Sequence, residues 1–170
     1  MDKIKIGIIG CGNISDIYLQ NLTSTFVNTE VLAVCDIIEE RAQAARQKYN
    51  IPYMFTNVDE ILGLKEIQII VNLTTPGDHY QICKRALEAG KHVYVEKPLS
   101  LKVEQGMELK ELARKNNLLL GCAPDTFLGA GLQTCRKAID DGLIGDVIGA
   151  TAFMVCHGHE SWHPDPEFYY

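Results

Sequence analysis

Three residues near the start of the chain have the types and spacing to hold a dinucleotide: Gly10, Gly12 and Asp36. Gly10 allows a tight turn, and Gly12, lacking Cβ, lets the backbone approach a pyrophosphate closely. The amides of Asn13 and Ile14 then face the phosphates from the start of a helix, aided by its dipole. Asp36, 24 residues after Gly12, is expected to accept hydrogen bonds from the adenosine ribose hydroxyls. A carboxylate there repels the additional phosphate of NADP. Ile37-Ile38-Glu39-Glu40 supplies no cation, and Arg41 comes too late for an obvious clamp. NAD is therefore the expected cofactor, with NADP less favoured.

The flanking residues form the elements this arrangement needs. Ile4, Ile6, Ile8 and Ile9 make an apolar, β-branched run that meets the glycines, and Ile14, Ile17, Tyr18 and Leu22 follow at helical spacing. Val31 to Val34 is a second apolar run ending near Asp36. Ser15 stands where the pattern has its third glycine, a departure expected to loosen helix-to-strand packing slightly. Cys11 reads as a small filler rather than a redox switch.

Further along, strand and helix alternate. Glu39 to Tyr49 is rich in helix formers, Tyr53 to Phe55 is a short strand, and Val58 to Leu62 is a short helix. Ile67 to Leu73 reads as a strand covered on both faces, stopping at Thr74-Thr75-Pro76-Gly77. A helix from Asp78 to Gly90 and a strand from Lys91 to Val95 follow, the strand ending in Glu96-Lys97-Pro98. Ser100 is expected to cap the next helix, and Leu118 to Cys122 gives a sixth strand. The fold class is therefore α/β, a Rossmann doubly wound parallel sheet over residues 1–122. Residues 123–170 read as the start of a truncated α+β second domain. A connector helix carries Leu132, Cys135, Arg136 and Ile139, and a long strand runs from Val147 to Val155. That strand has no partner in the sequence, so the chain reads as the front part of a longer protein.

Composition sets outer bounds. Of 170 residues, 46% are hydrophobic and 22% charged, enough for one ordinary core. The net charge of −6, with 16 Lys and Arg scattered among 22 acids, argues against a nucleic-acid surface. The apolar runs are too short for a membrane helix. Six cysteines lie singly, with no Cys-x-x-Cys pair, which fits buried thiols in a cytoplasmic protein.

Together, Gly10-Cys-Gly12-Asn-Ile-Ser15, Asp36, Thr74-Thr75-Pro76-Gly-Asp-His79 and above all Ala89-Gly-Lys-His-Val-Tyr-Val-Glu96-Lys97-Pro98 resemble the Gfo/Idh/MocA oxidoreductases. That family is named for glucose-fructose oxidoreductase, inositol dehydrogenase and a rhizopine catabolism protein. The resemblance implies a Rossmann domain followed by an open, mostly antiparallel sheet that carries the substrate site and oligomer contacts. It also implies an NAD-dependent dehydrogenase acting on a sugar, inositol or related polyol, homo-oligomeric in its full-length form. Lys97 would be the catalytic residue, close to nicotinamide and substrate, and Glu96 would help hold the cofactor. Members often have a cis peptide before this proline. Thr74, Thr75 and Pro76 would line the nicotinamide ribose. His79 reads equally as a cofactor contact or a helix-start hydrogen-bond former. Asp125 reads equally as a substrate or cofactor contact or as a helix cap through Thr126. The family's second catalytic motif would lie beyond Tyr170, so the 170-residue chain alone is expected to bind cofactor better than it turns over substrate.

Cys156, His157, His159, Glu160 and His163 invite comparison with a zinc site. Their spacing matches no structural zinc pattern, so no metal is expected. The segment, with His163 as a candidate substrate contact, reads as a polyol-recognising or domain-packing loop, or else a surface loop. The alternative to a dehydrogenase is a non-catalytic dinucleotide-binding sensor or scaffold.

Overall fold

The computed structural model describes residues 2–161 and Glu167. The chain forms two compact units, Met1–Asp125 and Thr126–Tyr170. In the first, β1 (Ile4–Ile9), β2 (Thr29–Cys35), β3 (Tyr53–Phe55), β4 (Ile69–Asn72), β5 (His92–Val95) and β6 (Leu120–Cys122) make one sheet of order β3-β2-β1-β4-β5-β6. Every pairing is parallel. This is the doubly wound order, in which the chain reverses direction between β1 and β4 and leaves a crevice at the carboxyl ends of those strands.

Five helices connect the strands: α1 (Ser15–Gln20), α2 (Glu39–Tyr49), α3 (Val58–Gly63), α4 (His79–Glu88) and α5 (Val103–Lys115). They cover two apolar clusters. Ile6, Ile8, Leu19, Val34 and Val71 belong to one, and Ile61, Ile70, Leu87, Val95 and Leu109 to the other. Neighbouring residues Ile70 and Val71 of β4 fall in different clusters because successive strand side chains point to opposite faces. The register of β1 on β2 shifts between Ile6 and Gly7, whose partners are Val31 and Ala33.

Several local expectations need correction. Helix α1 buries Ser15 and Leu19, whereas Ile14 and Ile17 are exposed. The small Ser15 lies on the packed face, and the helix continues as a π-helical turn, Asn21–Thr25. Ser100 does not cap α5: Lys102 occupies that position without a side-chain cap, and the Ser100 hydroxyl donates to Lys102 O at 2.8 Å.

In the second unit, the expected connector helix forms as α6 (Ala130–Asp140), with Gly142 in the left-handed region at φ 75° just beyond it. Thr126–Leu128 is a 3-10 turn and Gly129 is the N-cap of α6, so Asp125 caps no helix through Thr126. The strand expected at Val147 to Val155 does not form, and Ile148 is fully exposed. A strand needs a neighbour for its N–H and C=O groups, and among the described residues this unit has none to pair with it. No helix among the described residues is long and apolar enough to cross a membrane.

Candidate nucleotide and catalytic site

The parallel sheet brings four segments to one edge, and backbone hydrogen bonds between adjacent strands set the height of each. Gly10 N donates to Cys35 O at 2.8 Å, Leu73 N to Ile9 O at 2.7 Å, and Glu96 N to Asn72 O at 3.0 Å. The residues just after β1, β4 and β5 therefore leave the sheet side by side.

Gly10 is a steric necessity. Its φ is +98°, and a Cβ would lie 2.6 Å from the carbonyl carbon and oxygen of Leu73. Gly12 is a different case, because a Cβ there would meet nothing within 4 Å. The protein leaves that side of the turn open. Among the described residues, no acceptor is bonded to the N–H groups of Gly12, Asn13 or Ile14. Ser15 takes part in the turn, its hydroxyl donating to Gly12 O at 2.7 Å.

Asp36, 8% exposed, clamps the loop. Its Oδ2 accepts from Cys11 N at 2.7 Å and its Oδ1 from Ile38 N at 2.8 Å. A carboxylate has roughly four lone-pair positions, so two remain for ribose hydroxyls. Burial, and then the neighbouring Asp36 charge, push the Cys11 thiol up to about 12. The thiol therefore stays neutral against the loop, as a filler would.

The end of β4 carries a buried polar residue that the apolar reading of Ile67 to Leu73 passed over. Asn72 is fully buried. Its Oδ1 accepts from Thr74 N at 3.2 Å and from Thr74 Oγ1 at 2.7 Å, while its Nδ2 donates to His79 O at 3.2 Å. An uncompensated polar atom in that position would be costly, and a polar residue inside an otherwise buried strand is the signal that could have found it. Thr75 and Pro76 continue the loop, with Thr75 Oγ1 donating to Asp78 Oδ2 at 2.6 Å.

His79 opens α4 and is 1% exposed. Its Nδ1 lies 2.6 Å from Pro98 O and its Nε2 2.9 Å from Thr74 O. Both ring nitrogens face backbone carbonyls, which leaves neither for a cofactor. The expected cofactor contact through the ring is corrected accordingly.

After β5, Glu96 accepts from Tyr18 Oη at 2.7 Å through Oε1 and from Lys97 N at 2.9 Å through Oε2. The Lys97–Pro98 peptide is cis, and Lys97 is exposed at this edge. In the sequence, Tyr18 shows only as part of an apolar helix face. No spacing rule links it to Glu96, which lies 78 residues away. Burial and the Glu96 carboxylate raise the Tyr18 hydroxyl above its ordinary range, keeping it a donor. Asp125 is exposed at the end of the first unit. His163 lies outside the described residues. Among the described residues no group of three or more His, Cys, Asp or Glu is placed to hold a metal.

The model of the Gfo/Idh/MocA oxidoreductase family, with its NAD-binding Rossmann fold, matches residues 4–123. The inositol 2-dehydrogenase of Salmonella typhimurium is 33% identical over 167 residues, covering 97% of this chain and 48% of that protein. The inositol 2-dehydrogenase/D-chiro-inositol 3-dehydrogenase of Lactiplantibacillus plantarum is 32% identical over 143 residues, covering 83% of this chain and 41% of that protein. In structure, the chain is similar to scyllo-inositol dehydrogenase from Lactobacillus casei with bound NAD(H) and scyllo-inositol. The TM-score is 0.80 at 25% identity, over 85% of this chain and 43% of that one. The chain thus spans less than half the length of these relatives. With the family model matched from β1 to the end of β6, this chain belongs to the Gfo/Idh/MocA oxidoreductases, through their NAD-binding Rossmann fold.

Proposed function

We propose that this chain is the cofactor-binding part of an oxidoreductase that transfers hydride between NAD and an inositol, sugar or related polyol. The observation that carries the reading is the convergence on one sheet edge of the open Gly12 turn, the Asp36 carboxylate and the Glu96-Lys97-Pro98 segment. The names of the inositol dehydrogenases similar to it support the substrate class.

In this reading the open Gly12 turn and the amides of Asn13 and Ile14 would hold the pyrophosphate, and Asp36 would accept from the ribose hydroxyls. The spare lone pairs of Asp36 and its charge favour NAD over NADP. Thr74, Thr75 and Pro76 would line the nicotinamide ribose, and Glu96 would help hold the cofactor. NAD, when bound, supplies the hydride acceptor. Lys97 Nζ would hydrogen-bond the reacting hydroxyl and, in its neutral amine form, receive its proton as the hydride departs. Asp125 and His163 are candidate substrate contacts. Residues from Thr126 onward begin the substrate and oligomerisation region of a homo-oligomer. The six cysteines, all unpaired, fit a cytoplasmic enzyme.

The test is Lys97→Ala in the intact protein, assayed with NAD and a panel of inositols and sugars beside NADH titration. Oxidation should fall by about a thousandfold, within the usual range for loss of an acid–base group, with NADH affinity nearly unchanged. Undiminished turnover by the variant would remove Lys97 from the chemistry. Wild-type protein that binds NADH yet oxidises none of the panel would favour the sensor reading, and tighter binding of NADPH than NADH would overturn the cofactor assignment.

A further inference from the structure

The catalytic lysine of the proposed function stands in a segment that is tied down on both sides. On its N-terminal side, Lys97 N donates to Glu96 Oε2 at 2.9 Å, and Tyr18 holds the other oxygen of that carboxylate at 2.7 Å. On its C-terminal side, the carbonyl of Pro98 lies 2.6 Å from His79 Nδ1. The same imidazole lies 2.9 Å from Thr74 O through Nε2. One buried ring therefore spans two loops: the turn after β4 that lines the proposed nicotinamide ribose, and the segment that carries Lys97.

The ring is itself well held. His79 O accepts from Asn72 Nδ2 at 3.2 Å, and Asn72 Oδ1 accepts from both the N–H and the hydroxyl of Thr74. Asn72, Thr74, His79 and Pro98 thus form one connected set of hydrogen-bonding groups reaching from the last residue of β4 to the residue after Lys97. A carbonyl oxygen only accepts, and a neutral imidazole carries one N–H, so the ring's hydrogen serves Pro98 from Nδ1 or Thr74 from Nε2 according to the tautomer. A side chain needed only to start α4 would have to reach its own helix, not a loop 19 residues away.

We propose that His79 is a positioning residue, which through Nδ1 and Pro98 O fixes the location of Lys97 relative to the Thr74–Pro76 loop and hence to the nicotinamide. The inference rests on the function proposed above and adds to it a residue that touches neither cofactor nor substrate. Displacing a reacting group by about 1 Å is enough to cost two orders of magnitude in rate, so a single buried hydrogen bond can matter this much without making a catalytic contact.

Two substitutions separate the ring's two contacts. In His79→Asn the amide nitrogen falls near the place of Nδ1 and can still donate to Pro98 O. In His79→Gln it reaches toward the place of Nε2 and Thr74 O. Each variant keeps a donor at one of the two ring positions, so a residue needed only for stability would show losses in kcat that follow its losses in Tm. We expect His79→Asn to keep kcat for myo-inositol oxidation within about threefold of wild type, and His79→Gln to lose about tenfold or more in kcat at nearly unchanged NADH affinity and Tm. A second readout needs no substrate: NADH should shield Lys97 from reductive methylation, followed by peptide mass spectrometry, in wild type and His79→Asn but poorly in His79→Gln. Equal kcat and equal shielding in the two variants, or losses that simply follow Tm, would overturn the proposal. If wild type oxidises no polyol, the activity reading fails and the shielding comparison still decides the positioning role. Unshielded Lys97 in wild type overturns both.

Discussion

Tyr18 Oη donates to Glu96 Oε1 at 2.7 Å, joining the helix after the glycine turn to the end of β5. The contact couples the two halves of the proposed cofactor site, since Glu96 also accepts from Lys97 N. Tyr18→Phe keeps the ring against Tyr94 and removes only the hydroxyl. Losing one such hydrogen bond costs about 1 kcal/mol, so NADH should bind about fivefold more weakly, with a small loss of stability. Fluorescence titration of NADH reads this directly. An unchanged affinity would show that Lys97 N alone orients Glu96.

The two glycines of the turn should fail in different ways. Gly10→Ala forces a Cβ to 2.6 Å from the Leu73 backbone at a φ of +98°, and backbone cannot yield as a flexible side chain can. A loss of about 3 kcal/mol or more is expected, within the range for strain plus overpacking. Gly12→Ala meets nothing within 4 Å, so stability should change by about 1 kcal/mol at most. Its added methyl instead enters the space assigned to the pyrophosphate, and NADH affinity should fall by about tenfold or more. Chemical denaturation beside NADH titration separates the cases. A stable Gly10→Ala, or a Gly12→Ala that binds normally, would contradict this division.

The sheet was legible because its strands announce themselves. Ile4 to Ile9, Val31 to Val34 and Ile67 to Leu73 are apolar runs that stop at glycine, acid or proline, and the parallel order follows from the helices between them. Helix faces were less legible. Ile14 and Ile17 fit an apolar stripe, yet Ser15 and Leu19 are the buried residues of α1, so apolar spacing alone does not identify its packed side. Asn72, Tyr18 and His79 were legible only in part, since their meaning lies in partners 19 to 78 residues away or in the neighbouring loop. The 147–155 segment shows the limit of alternation as a signal: the pattern suits a strand, but a strand exists only in a ladder.

Lys91 is a buried cation with a structural task. It is 6% exposed, and its Nζ donates to Leu64 O and Ile67 O, each at 2.8 Å. The two carbonyls belong to the connection leading from α3 into β4, which delivers Asn72 and Thr74 to the site. Lys91→Met retains the aliphatic stem and removes the donor. Hydrogen bonds to charged groups contribute about 1.5–3 kcal/mol, so a loss of about 2 kcal/mol in denaturant stability is expected. Hydrogen exchange should rise first around residues 64–70. Unaltered stability would mean that water replaces the ammonium at no cost.

The buried thiols make stability depend on alkaline pH in a defined sense. Burial raises Cys11 from 9.0 to about 12, and Cys35 and Cys83 each from 9.0 to about 11. Once pH exceeds about 9, the unfolded chain releases these protons while the folded chain keeps them, so the unfolded state binds fewer protons and stability falls with rising pH. The contribution is complete below about pH 9 and is lost as pH climbs toward 11 to 12. Tyr18, also raised, acts in the same sense, while Lys91, lowered by desolvation, opposes it. A difference profile isolates the thiol: between pH 8 and 11, Tm of Cys11→Ala should decline less steeply than that of wild type. In the same pH 8 sample, a thiol reagent should modify the exposed Cys135 and Cys156 first, and Cys11, Cys35 and Cys83 only on unfolding. Parallel Tm profiles, or rapid labelling of Cys11 in the folded protein, would show that the thiol beside Asp36 is not held neutral by its surroundings.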